Sequence, residues 1–115
     1  MLRLTELTLS LHHADEELPA AICKRLRISP RELVRYVVAR RAHDARDKSN
    51  IKLIYSLDVN VKDEGAVLAR FRKDRNVQQT PNTAYKFITQ APKGIKRPVV
   101  VGAGPCGLFV GLILA

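Results

Sequence analysis

The sequence predicts an α+β protein in two parts: a small domain ordered strand, helix, strand, strand, helix, strand, then a glycine-rich strand–turn–helix. Three observations carry this reading. Ile51, Leu53, Tyr55, Leu57, Val59 and Val61 alternate with Lys52, Ile54, Ser56, Asp58 and Asn60, the period-2 signature of a strand with one buried face. Leu18, Ile22 and Leu26 recur at i, i+4 and i+8, which makes one apolar helix face. Val99-Val100-Val101 runs directly into Gly102-x-Gly104-x-x-Gly107.

The first element is marked by Leu2, Leu4, Leu7, Leu9 and Leu11. Leu2 and Leu4 share one strand parity and the later three share the other. A bulge or change of partner near Thr5-Glu6 reconciles them. Asp15, Glu16 and Glu17 supply the acidic first turn of a helix, where Pro19 is tolerable. Lys24, Arg25 and Arg27 fall in its last turn, as the helix dipole prefers. Ser29-Pro30-Arg31-Glu32 is a capping box, but the β-branched and aromatic run from Val34 limits it to a short turn. A strand is expected from Val34 to Ala42, then a polar loop from His43 to Asn50, then the alternating strand. Asp63-Glu64 caps a second helix with Val67, Leu68 and Phe71 on its apolar face. Asn76 to Thr83 reads as a polar connection, and Ala84 to Ile88 as a short final strand. This order is that of a split βαβ, ferredoxin-like domain, with two helices over one face of an antiparallel sheet. The expected divisions are a basic α+β domain over 1–90, a linker over 91–97, and the start of a Rossmann-like βαβ unit over 98–115.

Composition is that of a globular chain: 46% hydrophobic and 27% charged over 115 residues. The net charge of +9 attracts anions, whether nucleic acid, phosphorylated cofactors or acidic lipid. A solvated basic surface is the plainer reading, since no aromatic-interleaved basic motif accompanies the charge. Cys23 and Cys106 lie far apart and outside any C-x-x-C pair, which points to a reducing, cytoplasmic setting.

From Pro98 onward no side chain is charged. In the glycine turn each residue has a mechanical role. Gly102 permits the tight exit from the strand, Gly104 lets backbone approach a pyrophosphate, and Gly107 lets the helix pack close. Pro105 sits where a helix begins, and the helix N-terminus presents N–H groups to phosphate. The acidic ribose-binding residue belongs about 20 residues further on, which is past Ala115. The competing reading is a C-terminal membrane anchor, flanked by Lys93, Lys96 and Arg97 and carrying a Gly107-x-x-x-Gly111 pattern. Gly102, Gly104 and Pro105 weigh against it.

With those residues in view, Arg97 to Ala115 resembles the FAD-binding start of flavoproteins with two dinucleotide-binding domains. Arg40 to Arg46 and Ile51-Lys52-Leu53-Ile54-Tyr55, taken with Arg97-Pro98-Val99-Val100-Val101, resemble a family of bacterial FAD-dependent dehydrogenases. The family pattern has a serine before the Asp-Ala-Arg segment, where this chain has Ala42 and His43. The resemblance implies a small N-terminal α+β domain ahead of a flavoprotein body. It implies FAD-phosphate contact at Gly102, Ala103, Gly104, Pro105, Cys106 and Gly107. The expected partners are the remainder of that body and NAD(P)H or another electron carrier, with no membrane. The chain is expected to be an N-terminal piece of an FAD-dependent oxidoreductase, with weak FAD affinity and no catalysis by itself. The alternative is a stand-alone basic module binding RNA or a protein.

Other groups are weaker candidates. Asp44 with Arg41 and Arg46 could cluster on the loop between the central strands, though such loops usually carry solvated ion pairs. His12, His13 and His43 lack metal-ligand spacing, and adjacent strand residues point to opposite faces. Tyr36, Tyr55 and Tyr85 read as sheet-face residues. Cys106 is next to the phosphate turn, as a small residue that fits it or as a thiol activated by the helix N-terminus.

Overall fold

The computed structural model describes residues 1–86 and 93–115. The chain forms two compact units, Met1–Thr83 and Ala84–Ala115. The first is α+β, built on a four-stranded antiparallel sheet of order β2-β3-β1-β4. Its elements are β1 (Leu2–Ser10), α1 (Glu17–Leu26), β2 (Leu33–Asp44), β3 (Lys52–Val61), α2 (Glu64–Arg70) and β4 (Val77–Gln79). The second holds the third helix, α3 (Pro105–Leu114).

The parity switch in β1 is a bulge. Leu4 pairs with Leu57 and Leu7 with Tyr55, so Thr5 and Glu6 together face Ser56. The extra residue returns Leu7 to the buried face that already holds Leu2 and Leu4. Glu6 absorbs the bend at φ 57°, in the left-handed region. A side chain there costs about 1–2 kcal/mol of backbone energy. Glu6 is exposed. Glu6→Gly is therefore expected to raise stability by about 0.5–1 kcal/mol after glycine's own entropic cost. A higher urea midpoint with an unchanged slope would show it.

α1 buries Leu18, Ile22 and Leu26 as spaced, together with Cys23. Burial pushes the Cys23 thiol up from its ordinary range, which makes it inert packing. The helix ends in a Schellman motif: the Ile28 N–H donates to Cys23 O at 3.0 Å and the Arg27 N–H to Lys24 O at 3.3 Å. The left-handed residue is Arg27, not glycine. Arg70 reaches across from α2 and donates to the Leu26 and Arg27 carbonyls at 3.2 and 2.6 Å, so one guanidinium caps a neighbouring helix. Ser29 to Glu32 forms the expected short turn, the Glu32 carboxylate accepting from the Ser29 N–H and hydroxyl.

β3 buries Leu53, Tyr55, Leu57, Val59 and Val61 and leaves the intervening residues half-exposed or exposed. Asp63 caps α2 by accepting the Ala66 N–H at 2.9 Å, and Val67 and Phe71 face the core. The core is one cluster between the inner faces of β1 and β3 and the two helices. On the opposite face Arg3 of β1 lies against Asp58 of β3. The guanidinium donates to both carboxylate oxygens, at 2.5 and 2.9 Å, and the Thr80 hydroxyl adds a third bond at 3.1 Å.

The fourth strand is displaced from its expected place. The connection expected over 76–83 contains β4, which pairs with Leu2–Leu4 of β1. Ala84–Lys86 form no strand, and Phe87 and Ile88 lie outside the described residues, as do residues 89–92, the last two of which open the expected linker. Val77 alone is buried in Val77-Gln78-Gln79. The β1 edge specifies this strand, and an apolar repeat does not. β2 runs two residues past its expected end, to Asp44, because His43 and Asp44 find partners in Leu53 and Lys52.

In the second unit Val99–Val101 form no strand. A continuous apolar run suits a strand covered on both faces, but its ladder bonds must come from a neighbouring strand. None lies beside it among the described residues, and Val99 and Val101 are 86% and 94% exposed.

Candidate functional site: the glycine turn

The turn before α3 shows what each predicted residue does. Gly102 takes φ +112°, a conformation that L side chains rarely adopt. This turns the chain so that the Gly102 carbonyl lies over Gly107. A Cβ on Gly107 would collide with that carbonyl oxygen and meet the Val100 side chain at 3.7 Å. The structure thus brings Gly102 and Gly107 into mutual contact, and both positions require glycine. Gly104 has ordinary extended backbone, and a Cβ there would meet nothing within 4 Å. Its bareness leaves open space beside the helix start.

Pro105 is the first residue of α3, where its fixed φ fits and its missing N–H is no loss. The first α-helical bond runs from the Leu108 N–H to Gly104 O at 3.0 Å. No side chain caps the helix, and no acidic residue lies in its first turn. Helix geometry leaves the first N–H groups, including those of Cys106 and Gly107, without intrahelical acceptors. Ala103, Pro105 and Cys106 are exposed. The arrangement suits an anion placed against backbone N–H groups at the positive end of a helix dipole. α3 is apolar on all sides, with Leu108, Phe109 and Leu112 each about two-thirds exposed or more. Helices of that composition belong in interiors.

The first unit matches a family model described as a domain of unknown function (DUF8436) over residues 1–60. The chain belongs to the DUF8436 family. The match runs from β1 into β3 and does not include the glycine turn. The DUF8436 chain is also similar along nearly its whole length to an uncharacterised protein of Clostridium beijerinckii. The identity is 36% over 115 residues, covering 99% of this chain and 21% of that relative. The chain therefore spans about a fifth of the length of the curated relative it matches.

The remaining candidates of this DUF8436 chain fall apart as sites. Arg46 grips Asp44 with two bonds, at 2.8 and 2.6 Å. That guanidinium holds the Asp44 carboxyl at about 2, below its ordinary range. Arg46 is open to solvent while Asp44 is half-buried, and Arg41 stands apart from the pair in β2, opposite Tyr55. His12 and His13 lie beyond β1, not in it, so their placement differs from the strand expected. His13 serves packing, since its Nε2 hydrogen-bonds the hydroxyl of buried Tyr55 at 2.8 Å, ring edge toward ring face. Tyr55 faces the core as expected. Tyr36 is half-buried in β2, and Tyr85 is exposed outside any strand. No group of His, Cys, Asp and Glu among the described residues could hold a metal ion. No helix among them is long and apolar enough to cross a membrane.

Proposed function

We propose that residues 98–115 supply the pyrophosphate-binding turn of an FAD site in a longer FAD-dependent oxidoreductase. The carrying observation is the pairing of Gly102 at φ +112° with a Gly107 that has no room for Cβ, at the uncapped start of a helix. This is the division of labour a dinucleotide turn needs: a sharp exit, a bare approach and a close-packed helix. Two further facts support it. The 36% identical relative is about five times longer than this chain, which leaves room for a flavoprotein body. The exposed apolar surface of α3 suits burial within such a body. On this reading Gly102, Ala103, Gly104, Pro105, Cys106 and Gly107 contact the FAD phosphates. The isoalloxazine, the substrate and NAD(P)H or another electron carrier are held by the body. The element order and strand order of Met1–Thr83 favour a ferredoxin-like reading of the first unit. The absence of a C-x-x-C pair favours a cytoplasmic setting.

The test is the flavin content of the longer Clostridium relative, purified without added cofactor. Release of one FAD per chain on denaturation is expected. A colourless protein that takes up no FAD on dialysis overturns the reading. In a longer protein carrying residues 1–115, Gly107→Val is expected to weaken FAD binding by at least about tenfold, or ~1.4 kcal/mol. The 115-residue chain itself is expected to bind FAD weakly, because it has only the phosphate end of the site.

A further inference from the structure

Part of the first unit's positive charge gathers on one side of its helical layer, at the ends of α1 and α2. Lys24, Arg27, Arg70, Arg72, Lys73 and Arg75 are all exposed there. Contacts of Arg70, Arg25 and Arg27 tie the ends of the two helices together there. Arg70 bonds the end of α1. Arg25 bonds Asp74 at 2.6 Å. Arg25 and Arg27 both lie over the Phe71 ring, 5.6 and 5.9 Å from its centroid. Asp74 is the only carboxylate ion-paired with this group among the described residues, and it is spent on Arg25.

The surface between these cations is concave. A cleft of about 500 Å³ opens over Leu7 and Leu9, with Lys24, Arg25 and Arg27 at its rim and Phe71 in its wall. A second, of about 520 Å³, continues past Phe71 along Arg72, Lys73 and Arg75. A third, of about 670 Å³, is lined by Arg70, Arg72 and Lys73. Phe71 is common to the first two, and Arg72 and Lys73 to the second and third, so the cations border adjoining concavities and not one enclosed pocket. That form suits a chain of phosphates more than a single small anion.

On the other side of the sheet Arg3 is neutralised by Asp58, while Arg35 and Arg40 of β2 stand exposed, spread along one strand and not gathered around a cleft. No tyrosine or phenylalanine stands on that face of β1 or β3: Tyr55 points to the core. RNA-binding sheets use such aromatics as stacking platforms, and these two strands have none to offer.

We infer that the basic concave surface at the ends of α1 and α2 binds the phosphate backbone of single-stranded nucleic acid. The cations contact phosphates, and Phe71, covered by two guanidiniums, holds Arg25 and Arg27 in place rather than stacking on bases. Binding is sequence-tolerant and strongly salt-dependent, since each neutralised phosphate releases counterions. This is independent of the FAD reading, which concerns the second unit.

The experiment is fluorescence anisotropy of a labelled mixed-sequence oligonucleotide with the full 115-residue chain, across a salt series. Arg72→Glu/Lys73→Glu is expected to weaken binding at least about tenfold and to flatten the log–log salt slope by about 1.4. Arg35→Glu/Arg40→Glu on β2 changes net charge equally and is expected to leave affinity within about twofold. Arg72→Gln/Lys73→Gln, with thermal unfolding by circular dichroism, separates lost contacts from lost fold. Equal weakening by the two reversals would mean that net charge alone draws the strand, and would overturn the assignment. So would no binding at low salt, or full competition by phosphatidylglycerol–phosphatidylcholine vesicles.

Discussion

Leu57→Ala is expected to destabilise the Met1–Thr83 unit by about 3 kcal/mol, within the usual ~2–5 kcal/mol for a buried leucine. Leu57 is fully buried at the centre of β3. It faces Leu4 on one neighbouring strand and Val38 on the other. Truncation removes its transfer free energy and leaves a cavity, and the sheet ladders on both sides resist collapse into it. The unit is small, so its whole stability is about 4–12 kcal/mol at ordinary values per residue. The loss is therefore a large share, visible as a fall in the urea midpoint. Val38→Ala is the contrasting measurement. Val38 stands in the same cross-strand row, yet it is 44% exposed, because the helices pack over β1 and β4 and β2 overhangs them. Its truncation is expected to cost less than about 1 kcal/mol. Comparable losses at the two positions would show that the helical layer over β1 and β4 is not what decides burial along this row.

That contrast also marks how far the sequence could be read. β3 was legible because period-2 alternation and one-sided burial are the same fact seen twice. The β1 bulge was legible because Leu2 and Leu4 cannot share a face with Leu7 unless a residue is added. β4 was not, since three residues with one buried valine carry no period. Its place comes from the Thr5 N–H donating to Asn76 O and the Thr80 N–H to Met1 O, bonds between segments far apart in sequence. The end of α1 was hidden for a related reason. Arg27 occupies the left-handed position without the glycine that usually signals it. In the glycine turn the spacing gave the positions of Gly102 and Gly107, but not that Gly102 is required by its positive φ while Gly107 is required by the Gly102 carbonyl lying over it. The strand expected at Val99–Val101 failed because hydrophobicity can favour a strand but cannot supply its partner. The cations were countable from composition, while their gathering around Phe71 depends on how α1 and α2 end.

Acidification is expected to weaken the first unit as Asp58 takes up a proton. The Arg3 guanidinium holds the Asp58 carboxyl below the usual carboxylate range, and the Thr80 hydroxyl adds to this against the opposing effect of burial. A carboxylate whose folded pKa is depressed binds its proton more weakly folded than unfolded. Its stabilisation is then fully present above the unfolded value of about 4 and is lost as pH falls through the lower folded value. Asp74 beside Arg25 follows the same sign, while Asp44, paired with a fully solvated Arg46, contributes little. Asp58→Asn keeps the shape and removes the charge. It is expected to cost about 1.5 kcal/mol at neutral pH, in the range for hydrogen bonds to charged groups. It should also make the profile flatter than the parent's below about pH 4. Arg3→Met is expected to cost as much or more, because it leaves a carboxylate with 17% side-chain exposure beside an apolar chain. If Asp58→Asn kept the parent's acid limb unchanged, the limb would have to come from the other carboxylates. The Arg3–Asp58 pair would then fix the register of β1 on β3 without stabilising it.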